Sequence, residues 1–203
     1  MTSADPTDAL LALGTATLAE SGARPLGAGL RPVWPGAALA APAFGVQCAS
    51  GDNLAVHHAT ATAPAGSALV VTVDGGAELG WWGEVLTVAA LARGLRGLVI
   101  DACVRDTAAI AARRFPVWAS GVALPGARKE VAGSVGAPMT IRGAPVEPGD
   151  WVVADADGVA IVPGPTLAEV VAAGRQRAER EAHLFEVLQA GATTVQLLDL
   201  PPA

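Results

Sequence analysis

One short segment, Gly83–Asp106, contains the residue types that could perform chemistry. Glu84 stands at the start of an apolar helical pattern, and twenty residues separate it from the adjacent pair Arg105 and Asp106. Carboxylates suit a hard divalent cation such as Mg²⁺ or Mn²⁺, and a guanidinium can grip a carboxylate or an enolate oxygen with two hydrogen bonds. The spacing therefore indicates a cation held beside an anionic substrate. A helix-capping carboxylate next to a surface ion pair is the competing interpretation.

The residues around Glu84 would add a second way to bind an anion. Gly83 lets a ligand approach the start of the predicted helix closely, because it has no side chain. The first N–H groups of a helix have no partner within it, so they can donate to a bound anion. We therefore expect the amides of Gly83, Glu84, Val85 and Leu86, together with Arg105, to bind a substrate carboxylate.

Alternating strands and helices would position this segment. The predicted elements are a Val-rich strand over 68–73, a helix over 82–93, a strand over 98–101, a helix over 106–114 and a strand over 115–119. Connections of this kind predict parallel strands with right-handed crossovers. Ligands bind at the carboxyl ends of the strands in open sheets of this type, which is where Arg105 and Asp106 would lie.

The flanking segments predict further elements around this unit. They are a helix over 7–21, a pair of strands over 37–48 that breaks near Pro42 and Gly45, a helix from about 53 to 61, short strands over 139–142, 151–154 and 159–162, and a long amphipathic helix over 167–188. The fold class is therefore α/β, with a mixed sheet core flanked by helices. Every candidate linker is short, so we predict one domain over 1–203.

Composition excludes some classes of function. The net charge of −6 disfavours nucleic acid, whose binding depends on cationic side chains. Hydrophobic residues make up 52% of the chain, yet no run of 18 apolar residues predicts a membrane span. The first residues lack the basic and apolar regions of a signal peptide, so we expect a cytoplasmic protein with reduced Cys48 and Cys103.

Several sequence motifs resemble those of the RraA-like family, which includes the class II 4-hydroxy-4-methyl-2-oxoglutarate aldolases. The matching motifs are Asp52-Asn53-Leu54, Gly83-Glu84, the residues 97–101, 104–107 and 115–118, Pro148-Gly149-Asp150, and the residues 152–155 with 157–159. They extend from about Asp8 to Arg180, nearly the whole chain. The resemblance implies the swivelling β/β/α arrangement of that family and a metal-dependent lyase activity.

The resemblance also implies a role for each residue of the segment. Asp106 matches the metal-binding aspartate, Glu84 the acidic residue that holds the waters of the metal, and Arg105 the substrate-binding arginine. The stretch 83–86 matches the backbone that receives the substrate carboxylate. The implied cofactor is Mg²⁺ or Mn²⁺. The implied reaction cleaves a carbon–carbon bond of a small 2-oxo acid through a pyruvate enolate, by retro-aldol cleavage, by oxaloacetate decarboxylation or by both.

A second class of function stays open, namely a non-catalytic binding protein like the family members that regulate a ribonuclease by protein contact. Such a protein need not retain the acidic residue, the arginine and the aspartate that this chain carries. The resemblance further implies a homotrimer or a hexamer made of two trimers. The apolar composition agrees with an oligomer, because an isolated subunit would expose large apolar patches.

Four further polar side chains could take part in the site or in the fold. Asp101 would either orient Arg105 or cap the loop, and Lys129 would either reach a second substrate carboxylate or be solvated. His57 and His58 are adjacent, lack the spacing of a helical metal pair and are predicted to be structural. Proton transfer is therefore expected from a water molecule.

Two adjacent tryptophans precede the predicted anion-binding amides. Trp81 and Trp82 would pack in the core or at a subunit contact, or else would narrow the pocket. The second interpretation predicts a preference for small 2-oxo acids such as oxaloacetate over the branched dicarboxylate 4-hydroxy-4-methyl-2-oxoglutarate.

Overall fold

Helices and short strands alternate along the chain in the computed structural model, which describes residues 5–201. The helices are α1 (Thr7–Ala19), α2 (Leu54–Thr62), α3 (Glu84–Ala92), α4 (Thr107–Ala112), α5 (Leu167–Gln189) and α6 (Thr194–Leu197). The strands are β1 (Arg24–Pro25), β2 (Arg31–Pro32), β3 (Leu39–Cys48), β4 (Ala68–Val73), β5 (Gly97–Val104), β6 (Val117–Val122), β7 (Ser134–Val135), β8 (Met139–Ile141), β9 (Ala144–Val146), β10 (Trp151–Ala154) and β11 (Val159–Val162). Within the described part of the chain, no helix is long and apolar enough to span a bilayer.

One mixed sheet of nine strands organises the described residues. Its order is β1-β11-β10-β3-β4-β5-β6-β2, and β7 adds to β3. The strands β3, β4, β5 and β6 run parallel to one another, as the strand–helix–strand pattern predicted. The strands β8 and β9 form a separate antiparallel hairpin. The predicted α/β class with a mixed sheet core flanked by helices is therefore confirmed.

The predicted break within residues 37–48 is wrong, because β3 is one continuous strand. Residues 39–42 pair with β10 in antiparallel fashion, and residues 43–48 pair with β4 in parallel fashion. Pro42, which lacks an N–H, lies at the end of the antiparallel ladder, where the strand changes its partner. One strand thus joins the parallel unit to the antiparallel strands of the C-terminal half.

Both faces of the parallel unit are covered. Leu98 and Ile100 of β5 pack among buried residues of α2, α3 and α4, whereas Val99 packs on the other face with residues of the β8–β9 hairpin. Alternate residues of a strand point to opposite faces, so Asp101 follows Val99 away from the three helices. Since β5 ends at Val104, the next two residues lie at its carboxyl end, as predicted.

Short elements account for most differences from the predicted organisation. The strands β1, β2, β7 and β9 have two or three residues each, and α6 has four, so none carries a readable periodicity. The helix α3 begins at Glu84 rather than at residue 82, and β6 covers Val117–Val122 rather than 115–119. These shifts place the start of α3 directly at the candidate site.

Candidate active site

The segment before α3 lies along the end of β5. The backbone N–H of Trp81 donates to the carbonyl oxygen of Cys103 at 3.1 Å, and the N–H of Arg105 donates to the carbonyl oxygen of Trp82 at 2.8 Å. These long-range bonds bring Gly83 next to the Arg105–Asp106 pair. The structure thus brings together the two halves of the motif that the sequence separates.

Asp106 joins the end of β5 to the start of two helices. It precedes α4 with φ 56° and ψ 35°, a left-handed conformation that aspartate tolerates better than most residues. Its Oδ2 atom accepts a hydrogen bond from the backbone N–H of Glu84 at 3.0 Å and lies 3.8 Å from Nε of Arg105. Oδ1 accepts no hydrogen bond within residues 5–201, and the side chain is 43% exposed. One carboxylate oxygen therefore stays available to a ligand.

Two glycines make this close packing possible. A Cβ atom at Gly83 would collide with Oδ2 of Asp106, although the backbone of Gly83 is extended and would suit any residue. A Cβ atom at Gly80 would lie 2.7 Å from the carbonyl oxygen of Ala123 and 3.0 Å from Cδ of Arg105. Space, rather than backbone conformation, requires glycine at both positions.

The amides at the start of α3 are only partly engaged. The N–H of Glu84 donates to Asp106, whereas the N–H groups of Val85 and Leu86 have no acceptor in the described part of the chain. Such unpaired donors are normal in the first turn of a helix and favour an anion. The start of α3 thus retains unpaired donors, and their binding of a substrate carboxylate stays a prediction.

The carboxylate of Glu84 faces away from the cavity in this conformation. Its Oε1 accepts hydrogen bonds from Nη2 of Arg113 at 2.6 Å and from Nε of Arg113 at 3.1 Å. Arg113 directly follows α4, so this contact joins the start of α3 to the end of α4. A role of Glu84 in holding waters of a cation stays a prediction, because its carboxylate is committed to Arg113 here.

A cavity of about 160 Å³ lies where these elements meet. Its wall includes Arg105, Asp106, His57 and Lys129, together with the segment 80–83 and the α3 residues Val85 and Leu86. Ligand cavities commonly measure about 300–1,000 Å³, so this one suits a small molecule. A larger open groove of about 460 Å³ at the ends of β3 and β4 has no basic side chain on its wall among the described residues.

The wall formed by α2 was not predicted. His57 lines the cavity, although the sequence pattern indicated a structural role for it. Asn53 precedes α2 and lines the same cavity, and its Nδ2 donates to the carbonyl oxygen of Trp81 at 2.9 Å. Asn53 is buried, and its Oδ1 has no hydrogen-bond donor in the described chain. The four-residue spacing of Asn53 and His57, which places both on one helix face, was the available signal.

Buried Asp52 holds this wall in place. Its carboxylate accepts hydrogen bonds from the backbone N–H groups of Leu54 at 3.0 Å, Glu130 at 2.6 Å and Val131 at 3.1 Å. Burial alone would raise the pKa of Asp52, but the three amide donors, together with the charge of Arg128, keep the pKa below its usual value. Asp52 therefore anchors the loop that carries Lys129 to the start of α2.

Asp101 takes neither of its two predicted roles. Its Oδ1 accepts a hydrogen bond from Oγ of Ser120 at 2.8 Å and lies 3.8 Å from Nε of Arg142. These partners lie on the face of β5 that points away from α3, so Asp101 cannot orient Arg105. The alternation of side chains along the strand is the physical reason.

Neither cysteine has the features of a reactive thiol. Burial raises the pKa of Cys48 to about 12. Burial and the nearby carboxylate of Glu78 raise the pKa of Cys103 as well. A thiolate is the reactive form, so both side chains serve as packing groups.

The two tryptophan rings belong to the core. Trp81 and Trp82 are 0% and 1% exposed, and the ring of Trp82 stacks on Phe115 with centroids 5.9 Å apart. Nε1 of Trp81 donates to the carbonyl oxygen of Gly76 at 2.9 Å, and Nε1 of Trp82 donates to Oγ1 of Thr87 at 2.7 Å. Both rings are held by the structure around them, and Trp81 and Trp82 also line the cavity, so a limit on substrate size stays a prediction.

We expect Trp82→Leu to lower the free energy of unfolding by about 2–4 kcal/mol, because it leaves a cavity beside Phe115 and removes the hydrogen bond from Nε1 to Oγ1 of Thr87. Denaturant unfolding of both proteins measures this difference. The preference between oxaloacetate and 4-hydroxy-4-methyl-2-oxoglutarate should stay the same in the variant. Unchanged stability with a shift toward the larger substrate would show that the ring limits the pocket instead.

An α/β fold places an arginine, an aspartate and unpaired helix amides at the carboxyl end of a parallel strand, an arrangement suited to a small anion. Comparison with known families makes the class more specific. The sequence model of the RraA-like family, described as Aldolase/RraA, matches residues 5–161, and the chain belongs to this family.

Individual relatives differ in what their names state. The chain is 34% identical over 134 residues to a protein of Halalkalibacterium halodurans provisionally named 4-hydroxy-4-methyl-2-oxoglutarate aldolase. This match covers 66% of the chain and 64% of that relative, so it spans just under two thirds of the relative's length. The crystal structure of an uncharacterized protein from Pseudomonas syringae pv. tomato has a TM-score of 0.82 at 29% identity, covering 93% of this chain and 92% of that one.

A further solved relative has a regulatory name. The structure of RraA from Thermus thermophilis, described as an RNA-processing inhibitor, has a TM-score of 0.60 at 27% identity. It covers 70% of this chain and 85% of that one. The proteins similar to this chain thus include one named as an enzyme and one described as a regulator.

Proposed function

We propose that this protein is a divalent-metal-dependent lyase that cleaves a carbon–carbon bond of a small 2-oxo acid. The convergence of Arg105, Asp106 and the start of α3 at one cavity carries the proposal. The relative named as an aldolase supports the same class of reaction. Retro-aldol cleavage would give pyruvate and a second compound that carries an aldehyde or a ketone group. Decarboxylation of oxaloacetate would give pyruvate and carbon dioxide.

The substrate carboxylate would bind at the start of α3. The unpaired N–H groups of Val85 and Leu86 and the guanidinium of Arg105 offer donors at this point. Arg105 is held beside the cavity by its backbone bond to Trp82 and by the space that Gly80 leaves for its side chain. The positive charge of Arg105 would therefore face the substrate carboxylate without a large rearrangement of the side chain.

The donor set fits a cation that needs few protein ligands. Residues 5–201 contain no group of three or more His, Cys, Asp or Glu side chains that could hold a metal. Mg²⁺ commonly takes one or two carboxylates and completes its shell with water and substrate. Asp106 has the free Oδ1 atom that such binding requires, and Glu84 would contribute through water once released from Arg113.

The cation, when bound, would supply Lewis acidity at the carboxylate and 2-oxo oxygens of the substrate. Arg105 would place a fixed positive charge beside the oxygen that becomes negative as the bond breaks. The leaving electron pair is then stored in the enolate of pyruvate. C3, the carbon whose bond was cleaved, finally takes a proton.

Pyruvate release in the presence of Mg²⁺ or Mn²⁺ tests the proposal. The purified protein would be incubated with oxaloacetate or with a panel of 4-hydroxy-2-oxo acids, and pyruvate detected by a coupled assay. A protein-free sample with the same metal concentration corrects for spontaneous decarboxylation. The proposal requires release above that control and its loss on adding a chelator, and the absence of release from every substrate would contradict it.

The second candidate function is regulation of a ribonuclease by protein contact, favoured by the relative described as an RNA-processing inhibitor. A regulator would inhibit RNA processing and release no pyruvate. The two functions therefore give opposite results in the assay above and in a ribonuclease inhibition assay.

We also propose a closed homo-oligomer in the cytoplasm, a trimer or a pair of trimers, that binds neither nucleic acid nor membrane. Val85, Val88 and Leu91 form an exposed apolar row on α3 beside the cavity. A second copy of the chain would cover such a row. Mass measurement in solution tests this, and a monomer at micromolar concentration would contradict it.

A further inference from the structure

His57 lies in the same cavity as Arg105 and Asp106 but belongs to a different element. It is half-buried on α2, one helical turn after Asn53, which lines the cavity too. The neighbouring His58 is exposed and does not line the cavity. The two adjacent histidines thus have different surroundings, which the sequence could not separate.

Elimination leaves His57 as the side chain that can accept a proton. Within residues 5–201, the titratable side chains on the cavity wall are those of His57, Arg105, Asp106 and Lys129. Arg105 and Lys129 are cations with no lone pair to offer at neutral pH. Asp106 accepts the N–H of Glu84 and is the proposed ligand of the cation.

Glu84 is not placed to accept the proton either. Its carboxylate is bound to Arg113 and is absent from the cavity wall. The acidic residue of the motif is therefore turned away from the point where the reaction would occur, which leaves a water molecule or His57 to move the proton.

We propose that His57 is the acid–base residue of this site, an inference that rests on the lyase function proposed above. With a 4-hydroxy-2-oxo acid, the imidazole accepts the proton of the C4 hydroxyl. The C3–C4 bond breaks, the C4–O bond becomes a carbonyl, and the electron pair forms the C2–C3 double bond of the enolate. The imidazolium then returns the proton to C3, so the cleavage changes neither the number of protons nor of electrons.

The surroundings of His57 favour its neutral form. Burial lowers the pKa of His57 below its ordinary value of 6.5, and the charges of Lys129 and His58 lower it further. Arg93, which directly follows α3, lines an adjoining groove with His57, and Arg105 and Asp106 share the cavity of His57. A neutral imidazole at pH 7 has a free lone pair, which a general base requires.

The buried Oδ1 of Asn53 provides a second, independent observation. This acceptor has no donor in the described chain and lies one turn before His57 on the wall of the same cavity. Buried acceptors are nearly always satisfied in folded proteins, by protein groups or by bound molecules. A hydroxylated ligand or a water molecule next to His57 would meet this need.

His57→Gln tests the proposal, with His58→Gln on the same helix as the matched control. Exchange of the C3 protons of pyruvate with D₂O, followed by NMR in the presence of Mg²⁺, reports the proton transfer alone. Cleavage of a 4-hydroxy-2-oxo acid reports the full reaction. We expect His57→Gln to lower both rates by about 10²–10⁴-fold, the usual contribution of general acid–base catalysis. Release of carbon dioxide from oxaloacetate in a single turnover should fall by less than about fivefold, because that step requires no hydroxyl deprotonation and precedes protonation of C3.

The pH profile of the unmodified protein adds a measurement that needs no variant. The neutral imidazole is the active form, so kcat/KM for cleavage should rise with pH through a pKa below 6.5. This acid limb should be absent from the residual activity of His57→Gln and present in His58→Gln. A profile that is flat below neutral pH in the unmodified protein would overturn the proposal.

The outcomes separate this role from the function on which it rests. An unmodified protein that neither cleaves its substrates nor exchanges pyruvate protons overturns the lyase function and this role together. An active protein whose His57→Gln variant, folded by circular dichroism, behaves like His58→Gln overturns the role of His57 alone. Recovery of activity in His57→Ala on addition of imidazole would support the acid–base role over a structural one.

Discussion

Replacing Asp106 with asparagine is expected to lower metal-dependent pyruvate release by about 10²–10³-fold, the equivalent of several kcal/mol of lost charge stabilisation. Asparagine retains an oxygen for the N–H of Glu84 and tolerates the left-handed backbone at this position. It removes the charge that would anchor the cation. The loss should therefore appear in kcat/KM at each Mg²⁺ or Mn²⁺ concentration, with a melting temperature close to that of the unmodified protein.

Asp101→Asn is the matched control for this experiment. Asp101 lies on the preceding strand and bonds Ser120 on the opposite face of the sheet, so the variant should keep its activity. Near-normal pyruvate release by Asp106→Asn at low metal concentration would show that Asp106 does not anchor the cation. Equal losses in both variants would indicate a general effect on folding.

Arg105→Lys is expected to lower kcat/KM by about 10²–10³-fold, the usual cost of removing one preorganised donor from a developing oxyanion. Lysine keeps the positive charge but loses the planar fork that can donate two parallel hydrogen bonds. Steady-state kinetics with oxaloacetate and with a 4-hydroxy-2-oxo acid would measure the change. Both reactions should be affected, since both pass through the same enolate.

Arg93→Lys provides the comparison, because Arg93 directly follows α3, lines the adjoining groove and donates to the carbonyl oxygen of Ala61. It should lose little activity. A change below about threefold in Arg105→Lys would fall far short of the cost of a lost oxyanion donor, and Arg105 would then not contact the substrate.

Much of the parallel unit follows from local sequence patterns. The Val-rich run of β4, the apolar helix α3 and the strand β5 were all predicted, because a continuous apolar run and a 3.6-residue period are properties of short segments. The position of Arg105 and Asp106 just after β5 follows from the same patterns. Their proximity to Gly83 required only that consecutive strands pair in parallel.

Long-range contacts explain what the patterns missed. The strand β3 stays continuous through Pro42 because two different strands, β10 and β4, pair with its two halves. The ring of Trp82 is buried against Phe115, which lies on the far side of β5 in the chain. Partners of this kind lie too far along the chain to influence a local periodicity.

The sequence by itself determined the α/β class, the order of the central strands and helices, and the position of the Arg105–Asp106 pair at a strand end. Only the tertiary structure decided where individual side chains point. Glu84 turns to Arg113, and Asp101 turns to the opposite face of β5, whereas His57 enters the cavity. The direction of a side chain depends on contacts with elements distant in sequence. A motif can therefore identify its residues and still leave open which of them meets the substrate.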